Sequence, residues 1–342
     1  MRNHLRKGAF ALGLFAFAGA APVHAQETTD FYRTKNLDLY IGYSVGGGYD
    51  IYGRLVARHI GRFLPGNPMV VPRNMEGAGS VRLTNWLYTA APRDGSVIGT
   101  ISRGVPFDPI LGRPGSQFDA VKFSWIGSAN DEVSVCVTMA STGVRDLEGL
   151  KQKEVVVGAA GVGSDDDQFP RVINAVLGTK MRVISGYPGG NDIALALERG
   201  EVQGRCGWSW SSLKSTHSHW VTDKRISLIA QLGLSKHADL PSVPSIMDFA
   251  KTAEDTAILR LIFARQGLGR PFVGPPGIPP ERLAALRNAF EMTVKDRDFL
   301  ADAEKGKMEI NPLTGQQVEA LVQRVYSEVS PEIAKKVAAM LP

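Results

Sequence analysis

The sequence predicts an α/β protein of two lobes, each built on a mainly parallel sheet. Short apolar runs of strand type alternate with segments of helical spacing, the pattern of sheets whose strands are joined by crossing helices. Glycine-bearing turns stand where strand passes to helix, at Gly46-Gly47-Gly48, Gly77-Ala78-Gly79 and Gly161-Val162-Gly163. This order of strand, glycine turn and helix occurs early in the chain and again in its middle, without repetition of the sequence itself.

Residues 1–25 read as a secretory leader. Arg2, Arg6 and Lys7 precede an apolar run over 8–21, and Val23-His24-Ala25 sets small residues at the cleavage positions. The run is too short to span a bilayer. An exported, soluble, periplasmic protein is therefore expected. Loss of three basic and no acidic residues lowers the formal charge from +5 to +2. The remaining Lys and Arg are scattered, without a basic stripe interleaved with aromatics, so no nucleic-acid partner is expected. About 317 of the 342 residues remain, comfortable for two domains.

The first element is a strand-like run from Leu37 to Ile41. It leads into Tyr43-Ser44-Val45-Gly46-Gly47-Gly48-Tyr49-Asp50, which opens a helix with Ile51, Leu55 and Phe63 on one face. Glycine lets the backbone approach a guest closely, and the unpaired N–H groups of a first helical turn favour an anion. The same segment also fits the G-x-S-x-G pattern of a nucleophile elbow, Gly42-Tyr43-Ser44-Val45-Gly46. A serine hydrolase using Ser44 is thus the competing class. Against it, almost no mature chain precedes Leu37 to supply an oxyanion hole, and His217, His219 and His237 are the histidines left to act as base.

The second unit runs from a strand near residue 70, through Asn74 to Ser80, into a helix for which Ser80 is the expected cap. Pro92-Arg93-Asp94-Gly95 then turns the chain into a strand over 96–101. Cys136 and Cys206 lie on strand-like runs over 133–137 and 202–207; an exported protein can join them in one disulfide or bury them as free thiols. No Cys or His pair has a matching second pair at ligand spacing, so no metal and no cofactor is expected.

The middle unit begins at the buried-strand run Val155-Val156-Val157-Gly158. Ala159-Ala160-Gly161-Val162-Gly163-Ser164 turns into a helix with Phe169, Val172, Ile173 and Leu177 inward. A strand over 182–184 and the turn Tyr187-Pro188-Gly189-Gly190 follow, with Asn191 as the expected cap of the next helix. Further on, residues 259–264 read as a strand, the segment 275–280 leads into a helix, and Thr314 with Gln317 forms a capping box for the last long one. Lobe crossings are expected near Asn130 and Leu234. They divide the chain into lobe 1, residues 26–130 plus 235–342, and lobe 2, residues 131–234.

These motifs together resemble the solute receptors of the tripartite tricarboxylate transporter family, also called Bug or TctC-like proteins. The resemblance covers essentially the whole mature chain. It rests on the order and spacing of Tyr43 to Asp50, Asn74 to Ser80, Ala91-Pro92-Arg93-Asp94-Gly95, Gly161-Val162-Gly163-Ser164, Tyr187-Pro188-Gly189-Gly190 and Val273-Gly274-Pro275-Pro276-Gly277-Ile278-Pro279. It implies a type II, Venus-flytrap periplasmic binding protein, monomeric and not an enzyme. Such a receptor closes on a small organic acid and delivers it to membrane permease subunits; a sensory role toward a membrane kinase is the alternative on the same fold.

The resemblance also implies where the ligand is held. Main-chain N–H groups of the loops Ser44 to Tyr49 and Ala160 to Ser164 would pinch its carboxylates, with Tyr187, Gly189 and Gly190 beside them, so that no Arg is needed. Two departures from the family pattern bear on the ligand. Asp165-Asp166-Asp167 follows the second glycine turn: acids there ordinarily offset the helix dipole, but facing the cleft they would repel a second carboxylate. Trp208, in Gly207-Trp208-Ser209-Trp210, is placed either to stack on a flat ligand or to fill the core.

Overall fold

The computed structural model describes residues 21–341. The leader falls outside the described residues over 1–20, and the expected cleavage position lies within the first helix, α1 (Ala21–Thr34).

The first lobe starts with β1 (Leu37–Ile41), whose Leu37, Leu39 and Ile41 are fully buried while the intervening residues are partly exposed. Helix α2 (Gly48–Ile60) lays Tyr52, Leu55, Val56 and Ile60 on the same core. Then come β2 (Val70–Asn74), α3 (Val81–Thr89), β3 (Val97–Thr100) and β4 (Ser124–Ser128). The second lobe comprises β5 (Ser134–Met139), α4 (Leu147–Gln152), β6 (Val155–Ala159), α5 (Asp165–Leu177), β7 (Met181–Ser185), α6 (Gly190–Glu198), β8 (Gly204–Ser209), α7 (Trp210–Thr222) and β9 (Ile226–Leu232). Helix α8 (Ala253–Phe263) follows, and β10 (Pro271–Gly274) re-enters the first sheet. The chain ends with α9 (Pro280–Thr293), α10 (Arg297–Lys305), β11 (Leu313–Thr314), α11 (Gly315–Glu328) and α12 (Pro331–Ala339).

The two sheets run β11-β4-β10-β3-β1-β2 and β7-β6-β8-β5-β9. Both are mixed. Pairing is parallel where the glycine loops arise, β2-β1-β3 and β7-β6-β8, and antiparallel through β10, β4 and β11 and through β5 and β9. The parallel strands place both sets of loops at their carboxyl ends, as open α/β sheets do for ligands.

Three local expectations differ from the structure. Residues 259–263 belong to α8, because Thr252 and Asp255 form a full capping box that starts a helix there, and Ala264 opens the 3-10 turn that follows. Ser80 precedes α3 with left-handed backbone and does not cap it; its Oγ accepts from the Ser102 N–H. Asn191 lies inside α6, whose N-cap is Gly189. The capping box of Thr314 and Gln317 stands at α11.

The division of the chain also differs from the expected boundary at Leu234. Ile258, Leu259, Ile262 and Phe263 of α8 pack with Val155, Phe169 and Val172 in the second lobe's core. The chain returns to the first sheet only at β10. Val337 of α12 joins that same second-lobe core, so the last helix crosses back after α11 has packed Val318 and Val322 in the first lobe.

Candidate functional site

The glycine loop after β1 is held by one buried acid. Asp50, 2% exposed, accepts from the Gly46 N–H at 2.9 Å, from Asn74 Nδ2 at 2.8 Å and from Arg54 Nε at 2.9 Å. Asn74 also donates to the Tyr43 carbonyl. This network fixes the loop from behind, so Asp50 positions it without reaching the cleft. The loop's front, Gly46 to Tyr49, meets the start of α6: a Cβ on Gly47 would come within 3.3 Å of the Gly190 nitrogen. Two helix N-termini, one from each lobe, thus face each other at close range, where even a methyl group on Gly47 would make a tight contact.

Between the lobes lies a polar cavity. It offers about 50 Å³ to the centre of a water-sized sphere, room for a few water molecules or a compact solute. Of the residues expected at the site, Tyr43, Gly46, Gly47, Gly48, Tyr49, Ser164, Gly190 and Trp208 line it. Tyr43 and Tyr49 stack at 4.8 Å between ring centres, and burial pushes the Tyr43 hydroxyl up, keeping it a donor. Trp208 is buried and carries the Arg205 guanidinium 4.9 Å from its ring centre, so its role is closer to a wall than to a free stacking plate.

Of the remaining expected site residues, Ser44, Gly161, Gly163 and Gly189 lie where the lobes meet. Ser44 donates its N–H to the Pro188 carbonyl and its hydroxyl to Asp192 Oδ2 at 2.5 Å, while Val45 is 62% exposed. Gly161 and Gly163 abut Ala78 and Gly79, where a Cβ on Gly79 would lie 2.6 Å from the Ser164 nitrogen. Val162 points outward, Ala160 and Tyr187 pack with Ile193 in the second lobe's core, and Gly189 gives way to Ser44. Ser44 therefore serves as a tie between lobes, with a carboxylate and not a histidine as its partner.

The sequence reading placed no arginine at the site, but three stand there. Arg103, Arg205 and Arg270, all buried, line the cavity, and each meets an acid. Arg103 lies just beyond β3 and bonds Asp165 across the cleft at 2.6 Å, with Ser134 and Ser209 completing its shell. Arg205, on β8, takes Asp166 through Nε and Nη2 at 3.1 and 2.9 Å. Arg270, at the start of the return to β10, joins Glu132 at 3.0 Å and Ser212 at 2.7 Å and lies over the rings of Tyr49 and Tyr52. Asp165 and Asp166 do face the cleft, already engaged; Asp167 turns away to Arg171 and Ser185.

Ser102, Asn191, Gly207, Ser209, Ser212, Thr216 and His217 complete the lining. None was among the ligand-site residues expected from the sequence, although Asn191 and His217 were singled out there for other roles. His217 breaks the helical geometry of α7 (φ −140°, ψ 32°). Burial, with Arg205 and His219 adding to it, pushes its ring down to about 4, so it is neutral at pH 7. At the cleft rim, His237, Asp239 and Glu309 bring one ligand atom each within 4.8 Å of the others, but the Lys214 ammonium sits among the acids, 2.5 Å from Asp239 and bonded to Glu309. That cluster is a salt bridge from second lobe to first.

Two α/β lobes meet on a cavity built from the loops of both, the architecture of two-lobed α/β folds. Comparison with solved structures bears this out: the fold is similar to that of the periplasmic binding protein BugD, with TM-score 0.72 and 18% identity over 90% of this chain and 99% of that one. It is also similar to MatC of Rhodopseudomonas palustris with bound malate (TM-score 0.70, 16% identity, 89% and 99% covered). A further R. palustris protein, solved with adipate, gives TM-score 0.68 at 16% identity, with 90% and 99% covered. In sequence the chain is 23% identical over 347 residues to the UPF0065 protein in gbd 5'region of Cupriavidus necator, covering 99% of this chain and 97% of that protein. No protein-family model matches the chain. Its structural neighbours are thus periplasmic binding proteins of the Bug and TctC kind.

Proposed function

We propose that this protein is a periplasmic receptor that captures a small carboxylate-bearing solute between its lobes and delivers it to the membrane subunits of a tripartite tricarboxylate-type transporter. The observation that carries this reading is the meeting of two glycine-started helices, α2 and α6, from opposite lobes on one cavity. Their first-turn N–H groups supply donors and partial positive charge to an anion from both sides. A solute touching both lobes stabilises the closed arrangement over the open one by its differential contacts, which is the signal a membrane partner reads. Neighbours that bind malate and adipate support a carboxylate as the ligand class.

A thermal-shift screen of the purified protein tests this. Binding to the folded state alone raises the melting temperature as RT ln(1 + [L]/Kd), about 2.7 kcal/mol of stabilisation at a hundredfold excess over Kd. A shift of several degrees with an organic acid is expected. A protein that no carboxylate stabilises, but that a serine-reactive phosphonate labels at Ser44, would be a hydrolase instead.

A further inference from the structure

We infer that the cavity selects a compact solute bearing one negative charge, a monocarboxylate with a hydroxyl or keto oxygen beside it, over dicarboxylates, tricarboxylates and amino acids. This rests on the receptor reading and narrows it.

Charge balance at the cavity is the first ground. Each lining cation has its own acid: Arg103 with Asp165, Arg205 with Asp166, and Arg270 with Glu132. Behind them Arg265 lies 3.6 Å from Asp165 Oδ1 and donates to Gln168, which in turn donates to Asp108. The helix starts are offset in the same way. Asp50 stands in the first turn of α2 and Asp192 in that of α6; three acids open α5; Glu132 accepts from the Ser211 N–H in the first turn of α7. What remains for a ligand is the residual positive end of α2 and α6, enough for one carboxylate and not two. A second carboxylate would have to displace Asp165, Asp166 or Glu132 from its arginine, leaving a buried acid unpaired.

The pairing of every lining acid with an arginine weighs against an ammonium group. Arg103 Nε and Arg270 Nε, on two fully buried lining residues, have no hydrogen-bond partner. Of the lining acids, Asp166 spends Oδ1 on the Ala160 N–H and Oδ2 on Arg205, and Asp165 Oδ2 is held by Arg103. Both acids are thus charge-paired with arginines, although Asp165 Oδ1, 3.6 Å from Arg265, has no hydrogen bond of its own. A neutral oxygen next to the carboxylate leaves this charge balance as it is, whereas an ammonium would have to share a carboxylate already paired with an arginine. The small volume, about 50 Å³ to water-sized sphere centres, favours a short chain.

Isothermal titration calorimetry with pyruvate, lactate and glycolate, against malate, succinate and citrate, and against alanine and aspartate, tests the assignment. At least one monocarboxylate is expected to bind tenfold or more tightly than every member of the other two groups. A dicarboxylate, tricarboxylate or amino acid binding as tightly overturns the inference and leaves the receptor reading standing. Binding of nothing in the three groups overturns both. Asp166→Asn releases Arg205 from its partner, and its ratio of dicarboxylate to monocarboxylate affinity should rise at least tenfold. Restoring the balance with Arg205→Gln in the same protein should return the ratio to the parent value; an unmoved ratio in Asp166→Asn counts against the inference.

Discussion

His217 shows how a single side chain couples the cleft to pH. Its folded ring titrates at about 4 against an ordinary 6.5. Between those values the unfolded chain binds a proton that the folded chain refuses, so stability falls as pH drops through that window. Asp108 acts with the opposite sign. Burial pushes its carboxyl up to about 6 from 3.8, so the folded state keeps a proton that the unfolded state has lost, and this contribution grows as pH falls through 6. Urea midpoints at pH 7 and pH 5 separate the two. His217→Gln should lose less stability on acidification than the parent, by about 1 kcal/mol once partial exposure of the ring is allowed for; equal losses would show that the ring is protonated freely in the folded state.

Why the arginines escaped the sequence reading is also a matter for this scale. Arg103, Arg205 and Arg270 belong to no local motif, and their acids lie 62, 39 and 138 positions away. A glycine turn declares itself within a few residues because backbone geometry is local. An ion pair between the ends of distant strands does not. Asp165 and Asp166 were visible as acids near the cleft, but their partners appear only once β3 and β8 are in place.

At the scale of elements, the loop from Gly46 to Tyr49 can be tested directly. Gly47 has ordinary extended backbone, φ −82° and ψ 171°, so a side chain there costs little in the loop itself. Its Cβ would lie 3.3 Å from the Gly190 nitrogen, and the branches of Val would have to displace the start of α6. Gly47→Val should therefore weaken ligand binding by at least tenfold, while urea unfolding of the ligand-free protein changes by no more than about 1 kcal/mol. Undiminished affinity would remove this contact from the binding geometry. Strand β1 and helices α2, α5 and α11 could be read from the chain because periodicity, glycine and capping agreed. Residues 259–264 could not: their apolar run suits a strand or a buried helix, and the Thr252 and Asp255 box that decides it lies a full turn upstream.

For the whole molecule, the disulfide and the lobe contacts both bear on stability. Cys136 and Cys206 are opposed on the antiparallel strands β5 and β8 and are joined, closing a loop of sequence separation 70. Such a loop constrains the unfolded chain by about 4 kcal/mol in the chain-entropy account. Thiol titration of the oxidised, denatured protein should find none free, and reduction should lower the unfolding midpoint markedly; two titratable thiols before reduction would refute the bridge. Because both cysteines belong to the second lobe, the loss should leave the first lobe's core intact.

The path of the chain between lobes has a mechanical consequence. Residues 129–132 and 266–270 run side by side and are hydrogen-bonded to each other, Glu132 N–H to Gln266 carbonyl, Arg270 N–H to Asn130 carbonyl and Ala129 N–H to Arg270 carbonyl. A third connection, at residues 329 and 330, leads from α11 on the first lobe to α12 on the second. A door hung on one pin can swing and swivel; one hung on a laced pair of straps with a third fastening set apart keeps only the swing. Any movement of one lobe against the other would have to keep these three fastenings, which favours a swing about the laced pair and would bring Arg103 back to Asp165 in the same register.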